Sequence, residues 1–192
     1  MAMAILFGCD TTLQTGTAVQ SGRQALLRKD PAQALLHFEE AARRDPNYVY
    51  RSAYFSEGIW TYVGRCQYAT GNFSQAQQSL EMALTKDQDD VLARLYLGLT
   101  LLRSGDKRRG QTELQQALQS LHDWIENILA SRSAEAYWDP NQQIRMEIKK
   151  TLALMAATSG DRMEVLGNAE WLGAEVEEEI ERVRREESQR TG

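Results

Sequence analysis

The chain has 192 residues, of which 42% are hydrophobic and only 3 are proline. This length and composition suffice for a folded domain with a sizeable core, and they exclude a disordered chain. The formal net charge of -5 argues against a nucleic-acid partner, because phosphate backbones are bound by clustered Lys and Arg. No run of apolar residues approaches the roughly 20 that a membrane-spanning helix needs.

The N-terminal segment, residues 1–14, begins with a short apolar run that ends at Cys9. The run resembles the end of a bacterial lipoprotein signal, where a small residue precedes a Cys that becomes lipidated. Leu6 and Gly8 fit that pattern, but Phe7 is bulkier than usual and no Lys or Arg precedes the run. The resemblance implies that Cys9 is lipidated, that the residues after it form a tether, and that the protein lies on the periplasmic side of a bacterial envelope membrane. The alternative is an ordinary N-terminus that happens to contain a Cys.

Three later segments share one spacing of small and large residues. In each segment a Gly is followed 12 residues later by a small residue, 16 later by a large apolar one and 19 later by Ala. The small residues allow two helices to approach closely, and the large ones fill the space between helix pairs. The three series are Gly22, Ala34, Phe38, Ala41; Gly64, Ala76, Leu80, Ala83; and Gly98, Gly110, Leu114, Ala117.

The step from Gly64 to Gly98 is 34 residues, the period of the tetratricopeptide repeat. The three series are similar to that family's pattern, which Trp60 and Pro46 also fit. The resemblance implies an all-α fold, a tetratricopeptide-like α-solenoid of antiparallel helix pairs. It also implies a non-catalytic scaffold that binds other proteins. The three predicted units are residues 15–48, 57–90 and 91–124.

The step from Gly22 to Gly64 is eight residues longer than the repeat, and the excess falls in residues 47–56. That segment contains no Gly or Pro, so it predicts an extension of the first helix of the second unit by two turns. Seven aromatic residues lie between Tyr48 and Tyr68. Because Tyr and Trp dominate protein interfaces, the extension is a candidate partner contact. The alternative is that these aromatics pack against the first unit and the tether.

The first helix of the third predicted unit is apolar on almost every side, so both of its faces are expected to be buried. The family resemblance implies that four of its leucines face the inner, concave surface. Either a partner or the protein's own C-terminal segment must cover these inner leucines, and we expect the latter. Residues 125–192 predict a long helix extension, a degenerate fourth unit and a capping helix, with a coiled-coil seam to a partner as the alternative. The inner leucines are Leu92, Leu95, Leu99 and Leu102, and the capping helix has an apolar face at Leu172, Val176, Ile180 and Val183.

Catalytic and metal-binding patterns are not found in the sequence. The 2 His residues lie far apart, and Cys66 lies within a helical pattern as a small residue expected to be buried. No phosphate loop or nucleophile motif occurs, so we expect no enzyme activity, cofactor or metal. Some tetratricopeptide domains clamp a C-terminal carboxylate with basic inner residues. The matching slots here are Val19, Arg23, Tyr62, Leu92 and Tyr96, of which only Arg23 is basic.

The sequence therefore predicts a docking protein for one or more protein partners, or for a multi-subunit membrane complex. Two further hypotheses remain: a cytoplasmic adaptor without a lipid, and a self-assembling array in which the apolar helix of the third unit stacks on another copy. The predicted partner-binding residues on the inner helices and the extension are Val19, Arg23, Tyr50, Tyr54, Arg65, Tyr68 and Arg103.

Overall fold

The computed structural model describes residues 7–52, 55–130, 138–157 and 161–190. Within those ranges the fold consists of eight helices and one antiparallel two-stranded sheet, so the predicted all-α class is confirmed. Among the described helices, none combines the length and the hydrophobicity that a membrane crossing requires. The elements in chain order are α1 Phe7–Leu27, α2 Pro31–Arg44, β1 Val49–Arg51, β2 Ser56–Gly58, α3 Ile59–Ala69, α4 Phe73–Lys86, α5 Val91–Ser104, α6 Lys107–Ala130, α7 Gln143–Ala156 and α8 Arg162–Arg190.

The chain divides into two compact units. Unit 1 comprises Met1–Arg51 and Ser56–Ala93, and unit 2 comprises Ser52–Phe55 and Arg94–Gly192. Unit 1 therefore contains α1 to α4 with the two strands, and unit 2 contains most of α5 together with α6, α7 and α8.

Small residues determine how closely the helices pair, as the repeated spacing predicts. A Cβ atom added at Gly22 of α1 would lie 2.6 Å from the Phe38 ring of α2, and one at Gly64 of α3 would lie 2.5 Å from Leu80 of α4. A side chain at either Gly would therefore collide with the large residue of the paired helix. The predicted series thus corresponds to real helix contacts in unit 1.

Local signals define where α2 begins. The Asp30 carboxylate accepts a hydrogen bond from the backbone N–H of Gln33 at 3.0 Å, and Pro31 occupies the first turn. An Asp cap followed by Pro is a favoured helix start, because the cap satisfies an unpaired N–H and Pro has no N–H to satisfy. Behind this start, Phe38 stacks on Tyr62 of α3 with ring centroids 4.6 Å apart. Cys66 of α3 is fully buried in the same core, as predicted.

The N-terminal segment predicted as a tether is helical from Phe7 onward, as the first turns of α1. Its role as a tether stays a prediction. The Thr17 hydroxyl donates to the backbone carbonyl of Leu13 at 2.9 Å, a spacing of one helical turn. Thr15 is fully buried, whereas Thr12, Leu13 and Gln14 before it are exposed. No Pro occurs here to stop a helix, so α1 continues through this stretch to the buried Thr15.

The predicted helical extension at residues 47–56 is wrong, because this segment forms a β-hairpin. Val49 pairs with Gly58, Tyr50 with Glu57, and Arg51 with Ser56. Val and Tyr are favoured in strands, and the strand form turns the Tyr50 and Glu57 side chains to one face of the hairpin, where they are packed. Tertiary contacts thus outweigh a local composition that is compatible with helix. Tyr54 lies outside the described residues.

In unit 2 the C-terminal helix covers the leucine-rich helix, as expected. A Cβ atom added at Gly173 of α8 would lie 2.6 Å from the Tyr96 hydroxyl of α5, and Arg103 of α5 pairs with Glu170 of α8 at 2.7 Å. Leu95, Leu99 and Leu102 are buried, and so is Leu92 in unit 1. This packing removes the exposed apolar helix on which the self-assembling array was based.

Helices α7 and α8 form the degenerate fourth pair. They are antiparallel, because Lys150 of α7 pairs with Glu164 of α8 at 3.2 Å, whereas the backbone N–H of Asp139, before α7, donates to Glu179 at 2.5 Å. The predicted apolar face of α8 is buried in full. Its residues are Leu172, Val176, Ile180 and Val183.

Candidate protein-docking site

The hairpin lies on the side of α1 and α3 that carries two buried arginines. The guanidinium of Arg23, from α1, lies over the Tyr50 ring at 4.1 Å from its centroid. The guanidinium of Arg65, from α3, pairs with the Glu57 carboxylate at 2.6 Å. Tyr50 and Glu57 are opposite each other in the strand register, so they project from the same face of the hairpin. Each strand is therefore held by an arginine of a different helix.

These contacts are shielded from water. Arg23 is 0% exposed, Arg65 4% and Glu57 1%. An ion pair in such a site is costly to break, because the remaining charge would stay buried. The surroundings also affect Tyr48, which precedes β1. Burial raises the pKa of the Tyr48 hydroxyl, and the positive charge of Arg23 opposes that rise.

Three of the seven predicted partner-binding residues, Arg23, Tyr50 and Arg65, lie in or against this hairpin. Val19, Arg23, Arg65 and Tyr68 are buried, and Tyr50 is half-buried. The structure brings Arg23 and Tyr50 into contact and places Arg65 under the other strand, whereas Arg103 belongs to unit 2 and pairs with Glu170. The partner-binding role of these residues stays a prediction, and for Arg23 and Arg65 it requires movement of the hairpin. The carboxylate-clamp slots are buried as well, at Val19, Arg23, Tyr62, Leu92 and Tyr96.

The opposite face of the hairpin points outward and borders a cavity of about 430 Å³. Trp60, near the start of α3, lines the cavity and also lines a second concavity between α2 and α3. The Trp60 indole N–H donates to the backbone carbonyl of Pro46 at 2.9 Å, which fixes the ring in place. We call this region the Trp60 surface, defined by Arg43, Val49, Arg51, Trp60 and Lys86.

No pattern in the sequence predicts a binding role for the Trp60 surface. Trp60 was interpreted as a repeat position, and Arg43, Arg51 and Lys86 carried no motif. The run of aromatics did indicate the right region, although only the hairpin geometry separates Tyr50, which faces inward, from Val49 and Arg51, which face the cavity. Strand alternation is the physical reason, since neighbouring residues project to opposite faces.

Asp90 closes the bottom of the cavity and joins three elements. Its carboxylate accepts hydrogen bonds from the Thr61 hydroxyl at 2.6 Å and from the backbone N–H of Ala93 at 2.8 Å. Burial raises the pKa of this carboxyl, while the bonds from Thr61, Ala93 and the backbone of Gly58 oppose the rise. The folded protein therefore retains the Asp90 proton at pH values where the unfolded chain has released it.

Asp90 is accordingly expected to make stability depend on pH. Its contribution is complete below the ordinary Asp pKa of about 3.9 and is lost as pH rises through the raised value. Relative to Asp90→Asn, the wild type should thus lose free energy of unfolding as pH increases across that window. Urea denaturation at a series of pH values measures the difference, with Asp89→Asn as an exposed control. A difference that stays constant with pH would contradict the prediction.

Nothing in the described residues resembles a metal centre, since no group of three or more His, Cys, Asp or Glu is placed to hold an ion. The charged side chains of the Trp60 surface are of both signs, with Glu39 and Asp87 beside its three cations. Such a mixture of aromatic, apolar and charged groups around a concavity is suited to binding a polypeptide.

The comparisons with known proteins agree with the fold. Residues 25–95 match the tetratricopeptide repeat family. The match includes all of α2, α3 and α4, and with it the predicted tetratricopeptide-like fold is confirmed. A search of curated proteins gives no significant match. Tetratricopeptide repeats generally mediate protein–protein interaction, so the match implies a protein partner.

Proposed function

We propose that this chain is a non-catalytic scaffold that binds a protein partner through the Trp60 surface. The observation that carries the proposal is the tetratricopeptide match at residues 25–95, because repeats of this family generally bind proteins. The side of α1 and α3 that carries Arg23 and Arg65 is occupied by the hairpin. In unit 1 a partner can therefore reach the outward side, where the Trp60 surface lies, more easily than the side covered by the hairpin.

The chemistry of the Trp60 surface supports this choice. A Trp ring that is half-buried and hydrogen-bonded loses little conformational freedom when a partner packs on it, which is why Trp is enriched at binding hot spots. Arg43 and Arg51 are exposed on either side of the ring, one on α2 and one on β1. An aromatic anchor with a charged rim is the usual anatomy of a protein interface.

The test reverses the charge of the rim and leaves the core intact. Arg43→Glu with Arg51→Glu should abolish recovery of the partner when the tagged protein is purified from its own cells. The control is Lys107→Glu with Arg108→Glu, which changes charge equally at exposed positions of α6 in unit 2. Both double variants should keep the wild-type circular dichroism spectrum. Undiminished partner recovery by the Arg43 and Arg51 variant would overturn the proposed surface.

We also propose that the scaffold is an envelope lipoprotein anchored through Cys9, so that its partner belongs to a membrane-associated assembly. The support is the sequence pattern of Leu6, Gly8 and Cys9. The wild type should fractionate with membranes, and Cys9→Ser should be released from them. A wild-type protein that is already soluble and retains Met1 would overturn the anchor, and would favour the cytoplasmic adaptor instead.

A further inference from the structure

Unit 2 exposes an apolar surface at its C-terminal helix pair. Met146 of α7 is 58% exposed, and Met163 and Trp171 of α8 are 62% and 40% exposed. Two small residues of α8 are exposed as well: Gly167, between Met163 and Trp171, and Ala174, after Trp171. We call these five residues the terminal apolar face. Large apolar side chains exposed together commonly mark a binding surface, whereas single ones do not.

Helix geometry shows that these residues are neighbours. Met163, Gly167 and Trp171 follow one another at intervals of four residues, which places them along one side of α8. Lys150 of α7 pairs with Glu164 at 3.2 Å, and Met146 is one turn before Lys150. Since the two helices are antiparallel, Met146 lies at the level of the α8 turn between Glu164 and Trp171.

Among the residues that the structure describes, none covers these five exposed positions. A Cβ atom added at Gly167 would have no atom within 4 Å. The opposite side of α8 is the buried one, with Val165, Leu172 and Val176 in the core. The predicted solvating cap requires a polar outer side, because a terminal helix of a repeat array faces water. Over residues 163–174 the outer side of this capping helix carries Glu164 but also the exposed Met163 and Trp171, which is more apolar surface than contact with water alone requires.

Negative charge borders the face at its C-terminal end. Burial raises the pKa of the Glu175 carboxyl, and the acidic neighbours Glu178, Glu179 and Asp139 raise it further. Arg182, one turn beyond Glu178, is already engaged by Glu179 at 2.6 Å and by Glu186 at 2.5 Å. The local electrostatic potential is thus negative.

At the opposite end of the face the acidic charge is partly offset within the protein. There Lys150 is paired with Glu147 at 3.4 Å as well as with Glu164. A partner would consequently meet its strongest uncompensated charge beside Glu175 and Glu178, and that charge is complementary to Lys or Arg.

A second copy of the chain fits this pattern poorly. Two α8 helices packed antiparallel about Trp171 would bring Glu164 of each copy beside Glu178 of the other, because both residues are seven positions from Trp171. The Lys150 partner of Glu164 is shared with Glu147, so this end offers Glu178 no surplus positive charge. Like charges across an interface disfavour association. The same carboxylates would attract a basic helix.

We propose that the terminal apolar face docks an amphipathic helix of another protein, with its apolar side on Met163 and Trp171 and its Lys or Arg side chains beside Glu175 and Glu178. This is a second docking surface, separate from the Trp60 surface. The exposed indole serves as the central anchor, and the acidic end determines the direction in which the helix lies.

The test uses a defined probe, a fluorescent helical peptide of about 18 residues, or five turns, with Leu along one side and Lys beside it. A matched peptide carries Glu in place of each Lys. Anisotropy titration of the full-length protein should detect binding of the Lys peptide and none of the Glu peptide. Binding should weaken about tenfold in Trp171→Ala, as for a hot-spot anchor. Glu175→Gln with Glu178→Gln should weaken it too and reduce its dependence on salt.

Matched controls separate this site from general attraction to an acidic protein. Leu36→Ala, at a 60% exposed position of α2, should bind the Lys peptide like the wild type. So should Asp89→Asn with Asp123→Asn, which removes two exposed acidic charges elsewhere. Equal weakening by the controls, or equal binding of both peptides, would overturn the proposal.

Sedimentation of the purified protein tests whether a second copy of the chain binds the terminal apolar face instead. A wild-type dimer that becomes monomeric in Trp171→Ala would assign the face to a second copy and overturn the basic-helix proposal. The Arg43→Glu with Arg51→Glu variant should still bind the Lys peptide. Failure of the Trp60 surface and failure of the terminal apolar face are thus distinguishable.

Discussion

Replacing Gly98 with alanine is expected to lower the free energy of unfolding of unit 2 by about 3 kcal/mol, the upper end of what overpacking costs. An added Cβ atom would lie 2.7 Å from the backbone nitrogen of Leu114 and 2.9 Å from its Cα atom. These are backbone atoms of α6, so α5 and α6 would have to separate along their length. Chemical denaturation followed by circular dichroism measures the loss.

The same substitution at Gly167 is a matched control, for which the free energy of unfolding is expected to rise instead of fall. Gly167 is also inside a helix, but an added Cβ atom there has open space around it. Gly167→Ala should therefore stabilise the protein by about 0.5–1 kcal/mol, because Ala loses less backbone freedom than Gly on folding. A Gly98→Ala protein as stable as the wild type would contradict the close approach of α5 and α6.

Replacing Glu57 with alanine is expected to cost about 3–5 kcal/mol, the usual penalty for breaking a buried ion pair. The substitution leaves the Arg65 guanidinium, only 4% exposed, without the carboxylate that lies 2.6 Å from it. The hairpin has three residue pairs, too few to be stable alone, so it should detach from α3. Denaturant titration gives the stability, and protease cleavage between β1 and β2 reports detachment.

A double substitution tests whether the buried charge is the cause. Arg65→Met with Glu57→Leu removes both charges and keeps apolar volume, so it should recover most of the stability lost in Glu57→Ala. Glu40→Ala is the exposed control, since it breaks the Arg44–Glu40 pair on the surface of α2 and should change stability little. If Glu57→Ala and Glu40→Ala had equal effects, the proposed role of burial would be wrong.

The helix pairs are the part of the fold that sequence reasoning predicts well. Gly22, Gly64 and Gly98 each lie against the large residue 16 positions later, so one local spacing encodes a contact between adjacent helices. The covering of the leucine-rich α5 by α8 was also predicted, because an apolar helix must be buried by something. Both inferences need only composition and periodicity, which the chain displays directly.

The hairpin and the docking surfaces could not be predicted in the same way. Residues 47–56 contain no helix breaker, and their strand form depends on Arg23 and Arg65, which are contributed by two different helices. Arginine is usually exposed, so its pattern in the sequence did not predict burial. The exposure of Trp171 likewise depends on which side of α8 packs against α5 and α7.

Periodicity along the chain is thus enough to define the tetratricopeptide-like helix pairs, because the residues that matter are close in sequence and repeat at a fixed interval. Contacts between distant residues decide which surfaces remain open to a partner. Two buried arginines hold the hairpin over the inner helices, and the packing of α8 leaves Trp171 outside the core. Desolvation is the physical reason: a charged or aromatic side chain has a different free energy in each environment, and only the assembled chain determines that environment.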